Sequence, residues 1–298
     1  MSLLVADVLE PRVRAAPHGI GAARPMRVAL ARVKNQGSRA FSEALLKGLT
    51  FNGKTALENG DDFRDFAVDD DDAKTAPEPV VDALLAFSPD VVLYVGGESL
   101  MLRVIEPLEA RWPRGRAAPI YATMNVFARE TLRFIGEDRG RRARFFGLTT
   151  VSNTKVNAQF VTHYNQTFSD RVVRASAPNS SYDAFYLVAY AVYALGRDAV
   201  DGRSIARAMT RLVPPGTPID VGPSSIFAGV AALAACENID LGGATGRLDF
   251  NPSNGEAPVD FAFLCAGVDE AGRATDGVES GLVYDATSFR LQGAMRCP

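Results

Sequence analysis

From residue 27 to residue 149 the chain alternates short apolar runs with amphipathic stretches. Val91–Val95 is a run of five apolar residues rich in β-branched side chains, the pattern of a strand buried on both faces of a parallel sheet. Ser88-Pro89-Asp90 ahead of it is a turn that cannot continue a helix. Gly96-Gly97 behind it lets the backbone turn sharply. Glu98-Ser99 then opens a helix with Leu100, Met101, Val104, Ile105 and Leu108 as its apolar positions. Further strands are predicted at 27–33, 63–68, 119–123 and 144–149, and helices at 39–49, 79–87 and 127–134. Strands that alternate with helices in this way build a doubly wound parallel α/β sheet, whose ligands sit at the carboxyl ends of the strands. At the N-terminus a short helix is predicted over 3–10, ended by Pro11, with a glycine- and proline-containing linker over 16–25.

The pattern then changes. Helices are predicted at 155–168, 182–195, 204–212 and 224–236, with no strand between 151 and 236. The helix at 182–195 is apolar nearly all round, and such a helix must be buried. Its own segment supplies no sheet to cover it. The cover is therefore expected from the first sheet, a partner subunit or chain outside this sequence. Strands return at 246–250 and 259–265, around a hairpin-type loop at 251–258 that contains Asn254-Gly255, with a last short strand at 282–284.

Composition narrows the function classes. The 298 residues are 47% apolar and 22% charged, with a formal net charge of −3, so no bulk electrostatic case exists for nucleic acid or anionic membrane. No apolar run approaches the ~20 residues that span a bilayer. The N-terminus does not read as a secretory signal, because Asp7, Glu10 and Arg12 interrupt its apolar start; either the protein is cytosolic or the sequence is an excised segment. Asp69 to Asp72 are expected to form a solvated loop, since they lack the glycine and alternate spacing of a calcium loop. The arginines between 139 and 144 are expected on a solvated surface. Cys236, Cys265 and Cys297 form no CxxC pair, and His18 and His163 lie far away, which argues against zinc. A Cys265–Cys297 disulfide in an oxidising compartment and three unpaired thiols both remain open. Dinucleotide-fingerprint, zinc-protease and nucleophile-elbow motifs are absent. His163 reads as a helix surface residue, and Asp61-Asp62 lies at a turn with nothing to raise a pKa. The plain reading is a binding module without catalysis, metal or cofactor.

Several pieces then fall in a recognisable order: the strand at 27–33 with its loop to Ser38, Asp90-Val-Val-Leu-Tyr-Val-Gly-Gly97, and Pro119-Ile-Tyr-Ala-Thr-Met-Asn125. Ser181-Tyr-Asp-Ala-Phe-Tyr-Leu-Val-Ala-Tyr190, Gly243-Ala-Thr-Gly-Arg-Leu-Asp-Phe-Asn251 and Asn254-Gly255 follow. Together, from Arg27 to Ala266, they resemble the Leu/Ile/Val-binding group of type I periplasmic binding proteins, the receptors of branched-chain amino acid transporters. The resemblance implies a clamshell of two α/β lobes joined by crossing segments and closing on a small polar solute. It implies that this chain begins at lobe two and lacks most of lobe one, including the serine- and threonine-rich loops that grip an amino acid. The implied division is an N-terminal helix and linker (1–26), lobe two (27–150), a mainly helical return segment of the incomplete lobe one (151–236), and C-terminal strands returning to lobe two (237–298). Ligand-binding positions carried over from the family are Ser38, Tyr94, Gly97, Glu98, Ser99 and Asn125 on lobe two, with Tyr182 and Asp183 at the hinge side. In that reading Glu98 pairs with a ligand ammonium, Ser99 and Asn125 hydrogen-bond its polar groups, and Tyr94 packs or bonds at its edge. The implied partners are an amino acid or similar solute, a membrane permease and, over the exposed helical segment, a second copy of the chain. The implied location is the periplasm or cell envelope. A ligand-sensing regulatory domain of the same fold and a small-molecule α/β enzyme are the rival readings.

Overall fold

The computed structural model describes residues 1–15, 19–21, 24–69 and 78–298. The acidic run beyond Asp69, His18 and part of the linker expected at 16–25 lie outside those residues. The chain forms two compact units. Unit 1 holds Met1–Thr149, Phe263–Leu282 and Leu291–Pro298, and unit 2 holds Thr150–Ala262 and Val283–Arg290.

The strands are β1 (Val28–Val33), β2 (Thr50–Phe51), β3 (Lys54–Thr55), β4 (Phe63–Val68), β5 (Val91–Val95), β6 (Ile120–Thr123), β7 (Phe145–Thr150), β8 (Thr217–Asp220), β9 (Ile239–Gly242), β10 (Phe261–Val268), β11 (Ala274–Asp285) and β12 (Arg290–Gly293). The main sheet has the order β12-β11-β10-β7-β6-β5-β1-β4. From β4 to β7 its neighbours run parallel. The apolar runs predicted as doubly covered strands are just that: Val28 to Ala31 and Val91 to Leu93 have no exposed surface. β4 is an edge strand: Phe66 and Val68 are buried on one face, while Asp65 on the other is exposed and Ala67 half-exposed, the alternation of a half-covered strand. Asn52-Gly53 makes the tight turn between β2 and β3 with both residues at positive φ, as a two-residue hairpin requires.

Three expectations for unit 1 are corrected. Pro11 does not end the N-terminal helix, which continues through Glu10–Ala15. A π turn, Val5–Leu9, sits directly before Glu10-Pro11, and another, Met101–Ile105, sits before Glu106-Pro107. The wider turn moves aside the carbonyl that a proline ring would otherwise strike, so both helices run on. The first helix after β1 spans Gln36–Gly48 and starts three residues before the expected 39, because the Asn35 side chain accepts the Ser38 N–H and caps it. The arginines at 139–144 are not simply solvated. Arg142 is buried and donates to the Gly272 carbonyl at 2.9 Å, Arg144 forks onto Glu109 at 2.7 and 2.9 Å, and Arg141 stacks 4.0 Å over the Phe134 ring.

In unit 2 the helices are Lys155–Thr167, Asn179–Ala194, Gly202–Ala208 and Ile226–Ala234. The expectation of no strand between 151 and 236 is wrong: β8 lies there and pairs in parallel with β9. Pro218 inside β8, with Pro214 and Pro215 just ahead, hid it from the sequence pattern. These two strands and the helices share a core of Tyr186, Tyr190, Ala191, Ile219, Leu233, Ile239 and Leu241. The Asn179–Ala194 helix is therefore buried on one side only, and Phe185 on its other side is 68% exposed. The strand and hairpin expected at 246–258 do not form either. Arg247 makes a single bridge to Gly242, and 251–256 closes as a turn through Gly255 N–H to the Asn251 carbonyl at 2.7 Å. Pro252 and Pro258 withhold donors that a hairpin ladder would need.

Of the two readings open for the cysteines, the structure takes the bridged one. Cys265 on β10 is joined to Cys297, while Cys236 is free and exposed.

Candidate functional site

Parallel strands in register deliver their following loops to one edge. Arg32 pairs with Val95 and Tyr94 with Thr123, so the loops after β1, β5 and β6 leave the unit 1 sheet side by side at its carboxyl end. That edge is where open α/β sheets bind ligands. The middle loop depends on Gly96: a Cβ there would come 2.9 Å from Val33 Cγ1 and 3.2 Å from Leu100 Cβ. Gly97 sits at φ 56°, in the left-handed region, where a side chain costs about 1 kcal/mol or more. Gly96→Ala is expected to push the β5 loop off Val33 and to destabilise unit 1 by about 1–3 kcal/mol, read as a lower midpoint in urea unfolding. An unchanged midpoint would show that Gly96 is not packed against Val33.

The expected site residues separate by exposure. Gly97 and Ser99 are half-exposed, and Glu98 and Asn125 are exposed. The Asn125 carbonyl accepts the Leu148 N–H at 3.1 Å, which fixes the loop backbone against β7. Ser38 is only 6% exposed; its N–H donates to Asn35 Oδ1 and its carbonyl accepts the Ser42 hydroxyl at 2.6 Å. Tyr94 is 2% exposed, and neither its hydroxyl nor that of Thr131 meets a partner at hydrogen-bonding geometry. Burial pushes the Tyr94 phenol up to about 12, against a smaller downward pull from the nearby Thr131 and Thr123 hydroxyls. This phenol stays neutral and forms part of the floor beneath the loops.

Beside the Asn35 loop, a groove of about 750 Å³ is lined by Arg32, Lys34, Gln36, Arg39 and Asp65 among others. Its charges are largely paired: Arg32 forks onto Asp65 at 2.9–3.0 Å and Lys34 meets Asp69 at 3.0 Å.

Tyr182 and Asp183 stand in unit 2. The Tyr182 ring lies 4.4 Å from Phe160 and 5.1 Å from Tyr186; burial, then Tyr186, raises its phenol. Asp183 is 2% exposed and accepts the Ala244 N–H at 2.8 Å, the Thr245 N–H at 2.7 Å and the Thr245 hydroxyl at 2.5 Å. It holds the loop after β9, where Gly243 leaves no room for a Cβ beside the carboxylate. Burial raises this carboxyl against the downward pull of those donors. Sequence reasoning missed a second concavity, of about 210 Å³, at the carboxyl ends of β8 and β9, lined by Lys155, Asp220, Asp240 and Arg247 among others. It was missed because β8 was missed. Arg247 bridges Asp240 at 2.9 Å and Asp249 at 2.6 Å there.

Among the described residues, no group of three or more histidine, cysteine or acidic side chains is placed to hold a metal, and no helix is long and apolar enough to cross a membrane.

No family model matches the sequence, and no curated protein does. Solved structures do. A leucine-binding protein from Thermotoga maritima matches 90% of this chain at 13% identity with a TM-score of 0.53. An extracellular ligand-binding receptor from Rhodopseudomonas palustris matches 86% at 15% identity with a TM-score of 0.50. A solute-binding protein of an ABC transporter from the same species, in complex with 3,4-dihydroxybenzoic acid, matches 93% at 14% identity with a TM-score of 0.46. The chain spans 65%, 64% and 63% of the length of these structures. The fold is that of the type I periplasmic binding proteins.

Proposed function

We propose, from a type I periplasmic-binding-protein fold shared over 90% of the chain with a leucine-binding protein, that this protein is a solute-binding component of an ABC-type transporter and catalyses nothing. The observation that carries the reading is the carboxyl edge of the unit 1 sheet, where glycine-relaxed loops bring Gly97, Glu98, Ser99 and Asn125 to the surface beside one another. Ser38 and Tyr94 support that edge from buried positions, while Tyr182 and Asp183 pack within unit 2. The solute is a small polar molecule, an amino acid in the first instance: Glu98 is an acceptor for an ammonium group, and Ser99 and Asn125 supply neutral hydrogen bonds. Delivery to a membrane permease follows from the same reading. The disulfide supports an exported, oxidising location.

Thermal-shift and calorimetric titration against amino acids, amides and small carboxylates tests this. A bound solute raises the melting temperature by mass action. Glu98→Gln is expected to weaken amino solutes roughly tenfold, the order of one charge-assisted hydrogen bond, and to leave solutes without an amine unaffected. If no member of the panel stabilises the protein, the transport reading fails. If solutes bind and Glu98→Gln changes nothing, the amino-group contact lies elsewhere.

A further inference from the structure

The amino-terminal edge of the unit 1 sheet, opposite the loops of the candidate site, holds a concavity of its own. Asp90 stands just ahead of β5, Ile120 opens β6 and Arg144 stands just ahead of β7. The parallel ladder sets them side by side: the Ile120 N–H donates to the Asp90 carbonyl at 2.9 Å, and the Tyr121 N–H to the Arg144 carbonyl at 2.7 Å. Arg12 and Val13 of the N-terminal helix, with Ile20, close the space from the other side. The cavity is about 340 Å³, inside the range of small-molecule sites. Val13, Ile20, Ala118, Ile120 and Ala143 make its walls mostly apolar.

Three charged side chains also line it, and two of them are already paired. Asp90 takes the Arg24 guanidinium at 2.6 and 2.8 Å and the Arg27 N–H at 2.8 Å. Arg144 forks onto Glu109 at 2.7 and 2.9 Å. Arg12 meets no carboxylate among the described residues. Its guanidinium lies 5.3 Å from the centre of the Phe146 ring and 3.8 Å from the Met295 sulfur, contacts that leave its charge without a counterion. The leftover charge at this cavity is therefore single and positive. It selects a ligand with an apolar body, which displaces water from the walls, and one carboxylate, which a guanidinium grips with two parallel N–H bonds. A zwitterion is disfavoured, because Asp90 is spent on Arg24 and no other carboxylate lines the cavity for its ammonium group.

We propose that this cavity binds an apolar monocarboxylate, an aliphatic or aromatic acid, with its hydrocarbon body among Val13, Ile20 and Ile120 and its carboxylate on Arg12. The site lies at the other end of the strands from the proposed solute loops, so the inference is independent of the transport reading.

Isothermal titration of the whole chain with octanoate tests it, with 1-octanol as the uncharged probe. Octanoate is expected to bind saturably, one molecule per chain, roughly tenfold or more tighter than 1-octanol. Arg12→Gln brings octanoate down to the level of 1-octanol and leaves 1-octanol unchanged. Ala118→Phe fills the cavity and removes the binding of both. Neither variant touches the carboxyl edge, so a solute held there keeps its affinity. Absence of saturable octanoate binding overturns the proposal. Octanoate binding that survives Ala118→Phe overturns it too, since the acid then sits elsewhere. Octanoate that is indifferent to Arg12→Gln, or no tighter than 1-octanol, overturns the ligand class. If Ala118→Phe fails to fold by circular dichroism, Ala143→Leu fills the same cavity and decides in its place.

Discussion

Replacing Asp183 by alanine lowers the unfolding free energy of unit 2 by about 3 kcal/mol. Three donors, from Ala244 and Thr245, converge on this one buried carboxyl. Without it they are left unpaired in a site closed to water, and each buried unpaired group costs about 1–3 kcal/mol, less what relaxation of the loop recovers. Urea unfolding followed by far-ultraviolet circular dichroism measures the loss. An unchanged midpoint would show that the loop after β9 is held some other way. A loss of solute affinity with stability intact would make Asp183 a ligand contact and not a brace.

The pH dependence has a definite sign. Burial raises the Asp183 carboxyl above its ordinary value, so the folded state holds this proton more tightly than the unfolded state. Its contribution to stability is complete in acid, below the unfolded value, and falls as pH rises through the raised folded value. The stability difference between wild type and Asp183→Ala is therefore expected to be largest in acid and to shrink as the pH climbs through that window. A difference that grows with pH would reverse the assignment.

Reducing the Cys265–Cys297 bond costs about 3.7 kcal/mol, the chain entropy released when a loop of this length is opened in the unfolded state; the cysteines are 32 residues apart. The bridge ties the C-terminal tail to β10, and the tail also hydrogen-bonds β11 through Arg296 N–H to the Ser280 carbonyl at 2.8 Å. Melting with and without reductant is expected to show the difference. The double variant Cys265→Ala, Cys297→Ala should melt at the reduced position in both conditions. A wild-type curve that reductant leaves in place would mean the tail is held by its other contacts alone. Cys236 lies outside the bridge and is exposed, so Cys236→Ser should not alter the response.

Local chemistry determined much of unit 1 from the sequence alone. The apolar runs of β1, β5, β6 and β7 announce strands covered on both faces, and Gly96-Gly97 announces the turn that follows β5. These features rest on side chains within a few residues of one another, so one-dimensional periodicity carries them. That ligand loops gather at the carboxyl ends of the strands was legible through the alternation of strand and helix and through the family resemblance, whereas the order of the strands came only with the structure.

Other features depend on contacts distant in sequence, and only the tertiary structure decided them. β8 forms in spite of Pro218 because β9, some twenty residues on, supplies the partner backbone. The Asn179–Ala194 helix reads as buried all round, yet one side meets water, because burial depends on what packs against a helix as well as on its composition. Tyr94 and Asp183 carry the same polar groups as solvent-facing binding residues. Their depth, and the donors that reach Asp183 from sixty residues away, are properties of the folded chain, since a single sequence records which polar groups exist and not which neighbours enclose them.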